Sequence, residues 1–317
     1  MNRKEIIEAL NSQNNEILHI ADKIRKENVG DNVLLRALVE FSSYCRRNCN
    51  YCGLRLDNVE CVRYRLNKDE IVHFAKRAVE LGLKTVVLQS GEDYFFKESD
   101  LVEIIREIKK LNVALTLSIG ERPMREYEAF KDAGADRFLM RIETTNEALY
   151  SKMHPDTDLK GRIKHILKLK ELGFELGTGS LIGLPEQTVE MIADDILFFK
   201  EIGADMIGTG PFIPSAQTPL KDAQRGSFEF ALKVVALSRI VLPKANIPAT
   251  TAMETIHPEG RLLTLQSGAN VVMPNVVDYN INKNYSIYEN KASNRAGVEE
   301  TLKKIKERVE SIGRIAD

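Results

Sequence analysis

Apolar and polar positions along the chain keep changing their period. Residues 2–28 space their apolar side chains three and four apart among charges, the pattern of two short amphipathic helices. From residue 34 onward, short apolar or β-branched runs take over. LLRALVEF (34–41), TVVLQS (85–90), VALTLS (113–118), RFLMRIE (137–143), FELGTGSLIG (174–183), DMIGTG (205–210), IPATTAM (247–253) and ANVVMP (269–274) are predicted strands. Helix-periodic segments separate most of them, at 68–82, 98–110, 123–133, 146–153, 159–172, 187–202, 227–240 and 258–266. A last helix covers about 296–313. Asn67 with Glu70 three residues later reads as a capping box opening one of them.

Strands alternating with helices build βα units and a parallel sheet. Eight such strands fit a closed (β/α)8 barrel of the TIM type better than an open doubly wound sheet. The expected fold is therefore α/β, one domain over 1–317. It has N-terminal helices (1–30), a barrel (31–275) and a C-terminal segment with its helix (276–317). Chemistry in such barrels sits at the C-terminal strand ends. That rule singles out Glu92, Thr116, Ser118, Glu143, Thr178, Ser180, Thr209, Thr250, Thr251 and Asn275.

Composition narrows the function. The net charge of −1 over 317 residues points to neither nucleic acid nor an anionic membrane. No apolar run approaches the roughly 18 residues needed to span a bilayer. The charged, helix-periodic N-terminus is not a secretory signal, so the expected location is the cytoplasm. All four cysteines fall between positions 45 and 61. A disulfide framework would spread them out, whereas clustering suggests metal.

The cysteine segment reads FSSYCRRNCNYCGLR, so Cys45, Cys49 and Cys52 stand in a C-x3-C-x2-C spacing with Tyr51 before the last. Thiolates suit zinc or iron–sulfur clusters. A structural zinc site is closed by four ligands. Cys61, nine residues on, sits in a VECVRY context that suits packing better than ligation. Three thiolates on a cubane leave one iron open to a ligand. A zinc knuckle or an electron-transfer cluster, in a non-catalytic scaffold, is the alternative.

Placed after the first strand of a βα barrel, this motif resembles the radical S-adenosylmethionine (SAM) superfamily. The resemblance implies a [4Fe–4S] cluster whose open iron chelates SAM. It also implies a one-electron reductant, such as a ferredoxin or flavodoxin, and a 5′-deoxyadenosyl radical acting on a small molecule. By the same resemblance LQSGED (Gln89, Ser90, Gly91, Glu92) meets the amino group of SAM. Glu143 helps bind SAM, and Arg162 meets its carboxylate. Tyr51, Met206 and Met273 are candidates to contact the adenosine. Arg141 shares a strand face with Glu143, and a charge pair on a buried strand is costly unless used or paired. Arg141, Thr116, Thr178, Thr250 and Thr251 are candidates on the substrate side. His154 and His257 receive no catalytic role, and His19, His73 and His165 are expected on solvated helix surfaces.

The likeness extends further. CRRNCNYCGLR, TVVLQSGED, ADRFLMRIETTN, GTGSLIGLP, IGTGPFIPSAQTPL, IPATTAM and GANVVMPN together resemble the [FeFe]-hydrogenase maturase HydE family, grouped with biotin synthase and methylornithine synthase. This implies hydrogenase cofactor maturation alongside other maturases. A related amino-acid mutase of the methylornithine-synthase type is the second enzymatic reading. Two departures stand out. The stretch 284–298 carries no cysteine for a second cluster, and the strand-4 motif reads Arg141-Ile142-Glu143 where the family often has Arg-His-Glu. If residue 142 faces the cavity, substrate handling differs.

Overall fold

A computed structural model describes residues 1–291 and 295–317. Strands Ala37–Ser42, Thr85–Ser90, Ala114–Ser118, Arg137–Leu139, Glu175–Thr178 and Met206–Ile207 lie parallel, side by side in chain order. Parallel bridges then join Met206 to Asn246 and Pro248 to Val271. Val271–Val272 pairs with Asn32–Leu35, and Asn275 bridges back to Leu38. The chain of parallel neighbours thus returns to its start, as in an α/β barrel.

Parallel neighbours need long crossovers, and helices supply them. Lys68–Glu80, Glu98–Lys109, Met124–Asp132, Leu159–Glu171, Val189–Glu201 and Phe228–Val241 connect the strands. Alternation along each strand sorts its side chains. Val86, Leu88, Leu115 and Leu117 join the core beneath the helices, with Phe74, Ile104 and Phe130. Val87, Gln89, Thr116 and Ser118 point the other way and line an interior cavity. The predicted capping box is present: Glu70 N donates to Asn67 Oδ1 (2.9 Å) and Asn67 N to Glu70 Oε2 (2.7 Å). The N-terminal helices, Arg3–Asn11 and Glu16–Val29, pack on Val189–Glu201 and Phe228–Val241 through Ile6, Leu10, Ile192 and Leu237. Among the described residues no helix is long and apolar enough to cross a membrane.

Several predicted strands come out shorter or different. The 34–41 strand is two, because Asn32–Leu35 pairs with Val271–Val272 whereas Ala37–Ser42 pairs with Thr85–Ser90. The 137–143 strand stops at Leu139, and Glu143 sits at φ +64°, outside strand geometry. The 174–183 strand breaks into Glu175–Thr178 and Leu181–Ile182, and 205–210 into Met206–Ile207 with Gly210–Pro211 beyond. The 247–253 strand is a correction of type. Its first residues bridge their neighbours, but Thr251–Ile256 is helical, with Thr250 extended at the N-cap. The threonine-rich start suggests a strand, yet Ala252, Met253 and Glu254 are ordinary helix formers. Past the last helix, Val298–Ser311, a short strand Ile315–Ala316 joins the edge of Asn32–Leu35.

Candidate active site

The loop after Ala37–Ser42 brings Cys45, Cys49 and Cys52 together as free, half-buried thiols. Cys45 Sγ accepts from the backbone N–H of Glu92 (3.3 Å) and of Arg47 (3.5 Å). Burial pushes all three thiols up, and their mutual repulsion adds to this for Cys49 and Cys52, the latter reaching about 12. Bare thiolates are therefore costly here, and a soft cation is the partner that makes them favourable. Among the described residues no three such side chains converge on a point for a single ion. A cubane gives each thiolate its own iron and needs no such point. Gly91 explains how the loop sits so close to the barrel. A Cβ there would lie 2.2 Å from Tyr44 O and 2.7 Å from Cys45 Cβ.

The loop abuts a cavity of about 370 Å³ inside the strands. Cys49, Tyr51 and Cys52 form part of its wall. Opposite charges meet in that wall, with Arg141 Nη2 3.0 Å from Glu143 Oε2. Beyond that ion pair, Arg141 Nε and the Thr116 and Thr250 hydroxyls are buried and make no hydrogen bond within the protein. Buried polar atoms without partners are rare in native folds, and these fit a polar, zwitterionic ligand. Burial holds Glu143 above the usual carboxylate range, against the pull of Arg141 and Arg162.

Gln89, Ser90, Thr116, Arg141, Glu143, Arg162, Met206, Thr250, Thr251 and Met273 all line the cavity. Gly91, Glu92 and Thr178 do not. Gly91 packs against the cysteine loop instead. The Thr178 hydroxyl accepts from Ile142 N (3.2 Å). Glu92 is 4% exposed and belongs to an ion-pair network. It lies 2.7 Å from Arg47 Nε and accepts from Glu121 N at 3.1 Å. Arg47 and Arg162 both reach Glu121, at 2.8 and 3.2 Å. Burial acts to lower the Arg162 pKa, but Tyr150 and Glu121 outweigh it and hold the group charged. Ile142 is fully buried in the core under the helices, so the departure at this position does not reach the cavity. Cys61 is half-buried beside Arg63, and burial raises its thiol.

Other residues emerge only in three dimensions. Glu40, fully buried, pairs with Lys291 and accepts from Asn275 Nδ2 at 2.6 Å. Arg36, Tyr285 and Tyr288 also line the cavity. Arg36 and Glu40 carry a signal in sequence, charges inside an apolar strand, but Lys291 is far away along the chain. His154, given no catalytic role from the sequence, has a positioning one. It is buried, its Nδ1 lies 3.1 Å from Tyr150 O and its Nε2 2.9 Å from Tyr51 OH. A carbonyl only accepts, so Nδ1 carries the proton and Nε2 takes the Tyr51 hydroxyl. His154 therefore orients the aromatic ring beside the third cysteine. The expectation that His165 is solvated is corrected, as it is half-buried and bonded to Tyr127 OH at 2.9 Å. His19 and His73 are exposed.

A family profile described as the Radical SAM superfamily matches residues 39–199. The [FeFe] hydrogenase maturase subunit HydE of Thermotoga maritima is 52% identical over 278 residues, covering 88% of this chain and 80% of that protein. The 3-methylornithine synthase of Methanosarcina acetivorans is 30% identical over 81% of this chain and 73% of that protein. Among solved structures, methylornithine synthase (PylB) superposes with a TM-score of 0.88 over 100% of this chain and 94% of that one. At 24% identity this last likeness speaks for the fold alone. The motif, the barrel and this identity carry one conclusion: the chain belongs to the radical SAM superfamily and, within it, to the family of the [FeFe] hydrogenase maturase subunit HydE.

Proposed function

We propose that this chain is a HydE-type hydrogenase maturase whose single [4Fe–4S] cluster is held by Cys45, Cys49 and Cys52, and that SAM and a small-molecule substrate share the cavity beside it. The observation that carries the reading is the juxtaposition of three free thiols with the buried Arg141–Glu143 ion pair and the unpartnered Thr116 and Thr250 hydroxyls around one cavity. Cys45, Cys49 and Cys52 would hold the cluster, which would supply the one-electron chemistry for reductive cleavage of SAM.

The chain's own residues divide the remaining work. Glu143 takes the ammonium of the methionyl group, and Arg162, held charged by Glu121, takes its carboxylate. Tyr51, fixed by His154, covers the adenosine with Met206 and Met273. Gln89 and Ser90 supply polar contacts at the end of Thr85–Ser90, while Gly91 and Glu92 act indirectly by seating the cysteine loop. Arg141, Thr116, Thr250 and Thr251 orient the substrate without adding net negative charge. Thr178 braces the backbone at Ile142. Leu181, Phe212 and Tyr288 complete the wall and limit water, which a reactive radical requires. A ferredoxin or flavodoxin as donor, companion maturases and the cytoplasm as location complete the proposal.

Anaerobic reconstitution tests it. About four irons per chain are expected, the content of one cubane with its usual thiolate ligands. Release of 5′-deoxyadenosine from SAM on reduction is expected too. A protein that takes up one tight zinc and no iron overturns the reading. The 30% identity to a 3-methylornithine synthase supports a second reading, an amino-acid mutase. Formation of 3-methylornithine, with no gain in hydrogenase activation in a reconstituted maturation assay, would establish that one instead.

A further inference from the structure

The loop that carries the cysteines has an outer face with no part in the chemistry above. Tyr44, Leu56, Val59, Val62 and Phe95 stand exposed there, Val59 at 88%. Single exposed apolar residues are ordinary, but a group gathered around one loop marks a contact surface. The loop holds them firmly. Arg63 donates to the carbonyls of Ser43, Leu54 and Arg55 at 2.6 to 2.8 Å. Arg65 lies between the rings of Tyr44 (3.6 Å) and Phe95 (4.4 Å) and pairs with Asp93 at 2.7 Å.

The adjoining half of the face is cationic. Arg46, Lys97 and Arg125 are exposed and, among the described residues, make no ion pair. Arg46 and Arg122 each sit 4.5 Å from the Tyr94 ring. The nearby acids are largely spoken for. Asp93 pairs with Arg65, Glu126 with Arg122 and, more loosely at 3.8 Å, Asp57 with Arg55. Glu98 and Asp100 remain there, with Glu60 on the apolar half, and around Tyr94 the four cations Arg46, Lys97, Arg122 and Arg125 still outnumber the three acids Glu98, Asp100 and Glu126. The face also backs directly onto a cluster ligand. Tyr44 precedes Cys45, and Glu92 N donates to its sulfur.

We propose that this face docks the electron donor, a small acidic protein carrying a low-potential one-electron flavin or iron–sulfur centre. The inference rests on the radical SAM reading, since a cluster at Cys45, Cys49 and Cys52 must receive one electron per turnover. The donor's reduced centre loses one electron, the cluster gains it, and no bond or proton moves. The cationic half steers an acidic partner, and the apolar half supplies the dry contact that holds it briefly. Electron-transfer encounters use small interfaces, and a patch of this kind suits one.

An acidic flavodoxin is the probe. Oxidised flavodoxin is titrated into the reconstituted protein by calorimetry, which reads binding without turnover. Photoreduced flavodoxin is then mixed in stopped flow, and cluster bleaching is followed. Val59→Asp and the double variant Lys97→Glu/Arg125→Glu should each weaken binding and slow reduction about tenfold at low salt, the charge variant's deficit shrinking at high salt. Dithionite should reduce the cluster and drive SAM cleavage equally in all three proteins. Unchanged flavodoxin binding and rate in both variants overturns the proposal. So does a result in which Val59→Asp abolishes a wild-type dimer without altering flavodoxin binding, because the face then joins copies of this chain. Failure of dithionite to release 5′-deoxyadenosine from the wild type would sink the radical SAM reading itself, whatever flavodoxin does.

Discussion

Replacing His154 by Gln probes how the aromatic beside the cluster is held. The imidazole is 1% exposed, and burial, helped by Arg162, lowers its pKa from 6.5 to about 3. The folded state thus keeps it neutral while the unfolded chain protonates it near pH 6.5. Between those values the unfolded state binds more protons, so this residue's contribution falls as pH falls. The loss from pH 7 to 5.5 is about 1.2 kcal/mol, from one proton with an unfolded pKa near 6.5. Glutamine cannot titrate and replaces the two hydrogen bonds imperfectly, at a cost of about 1–3 kcal/mol at pH 7. Urea unfolding of the cluster-free proteins at the two pH values gives four stabilities. The gap between wild type and variant should narrow by about 1.2 kcal/mol at the lower pH. Other buried acids, such as Glu143 and Asp195, titrate in both proteins and cancel in the difference. A gap that stays constant between the two pH values would refute a buried, neutral His154.

Cys45→Ala, Cys49→Ala and Cys52→Ala should each abolish cluster assembly and SAM cleavage, whereas Cys61→Ala should keep both. Iron analysis with 5′-deoxyadenosine quantification checks this, and cluster loss in the Cys61 variant would show the ligand set to be incomplete. Gly91→Ala forces a Cβ to within 2.2 Å of Tyr44 O, so the loop must move. Destabilisation of about 1–3 kcal/mol is expected, the usual range for overpacking. Lower iron uptake should accompany it, and a variant with normal iron content and melting temperature would contradict this. Lys291→Met leaves the buried Glu40 carboxylate without its cation and should cost about 3–5 kcal/mol near neutral pH. Burial already raises the Glu40 pKa, so protonation relieves the penalty as pH falls. Denaturant unfolding at pH 8 and pH 5 should show a larger deficit at pH 8.

The sequence by itself determined the local structure and the chemical class. Short apolar and β-branched runs between helix-period segments specified a parallel α/β barrel, because strands buried on both faces and helices buried on one leave different patterns in the chain. The Asn67–Glu70 box is local hydrogen bonding and is equally legible. Three cysteines within eight residues specified soft-metal chemistry, since ligands on one short loop need no tertiary contact to be recognised together.

Tertiary structure decided what depends on contacts between distant residues. It stopped the 137–143 strand at Leu139, where pairing with Glu175–Thr178 ends, and made Thr251–Ile256 a helix. It placed Ile142 in the core, turned Glu92 into an ion-pair network and set Gly91 against Cys45. It brought Lys291 to Glu40, 251 residues apart, and His154 to Tyr51, 103 residues apart. Charge pairs and hydrogen bonds of that kind have no sequence period. Their partners are set only when the barrel folds and the cost of burying each charge must be met by whatever the fold brings near.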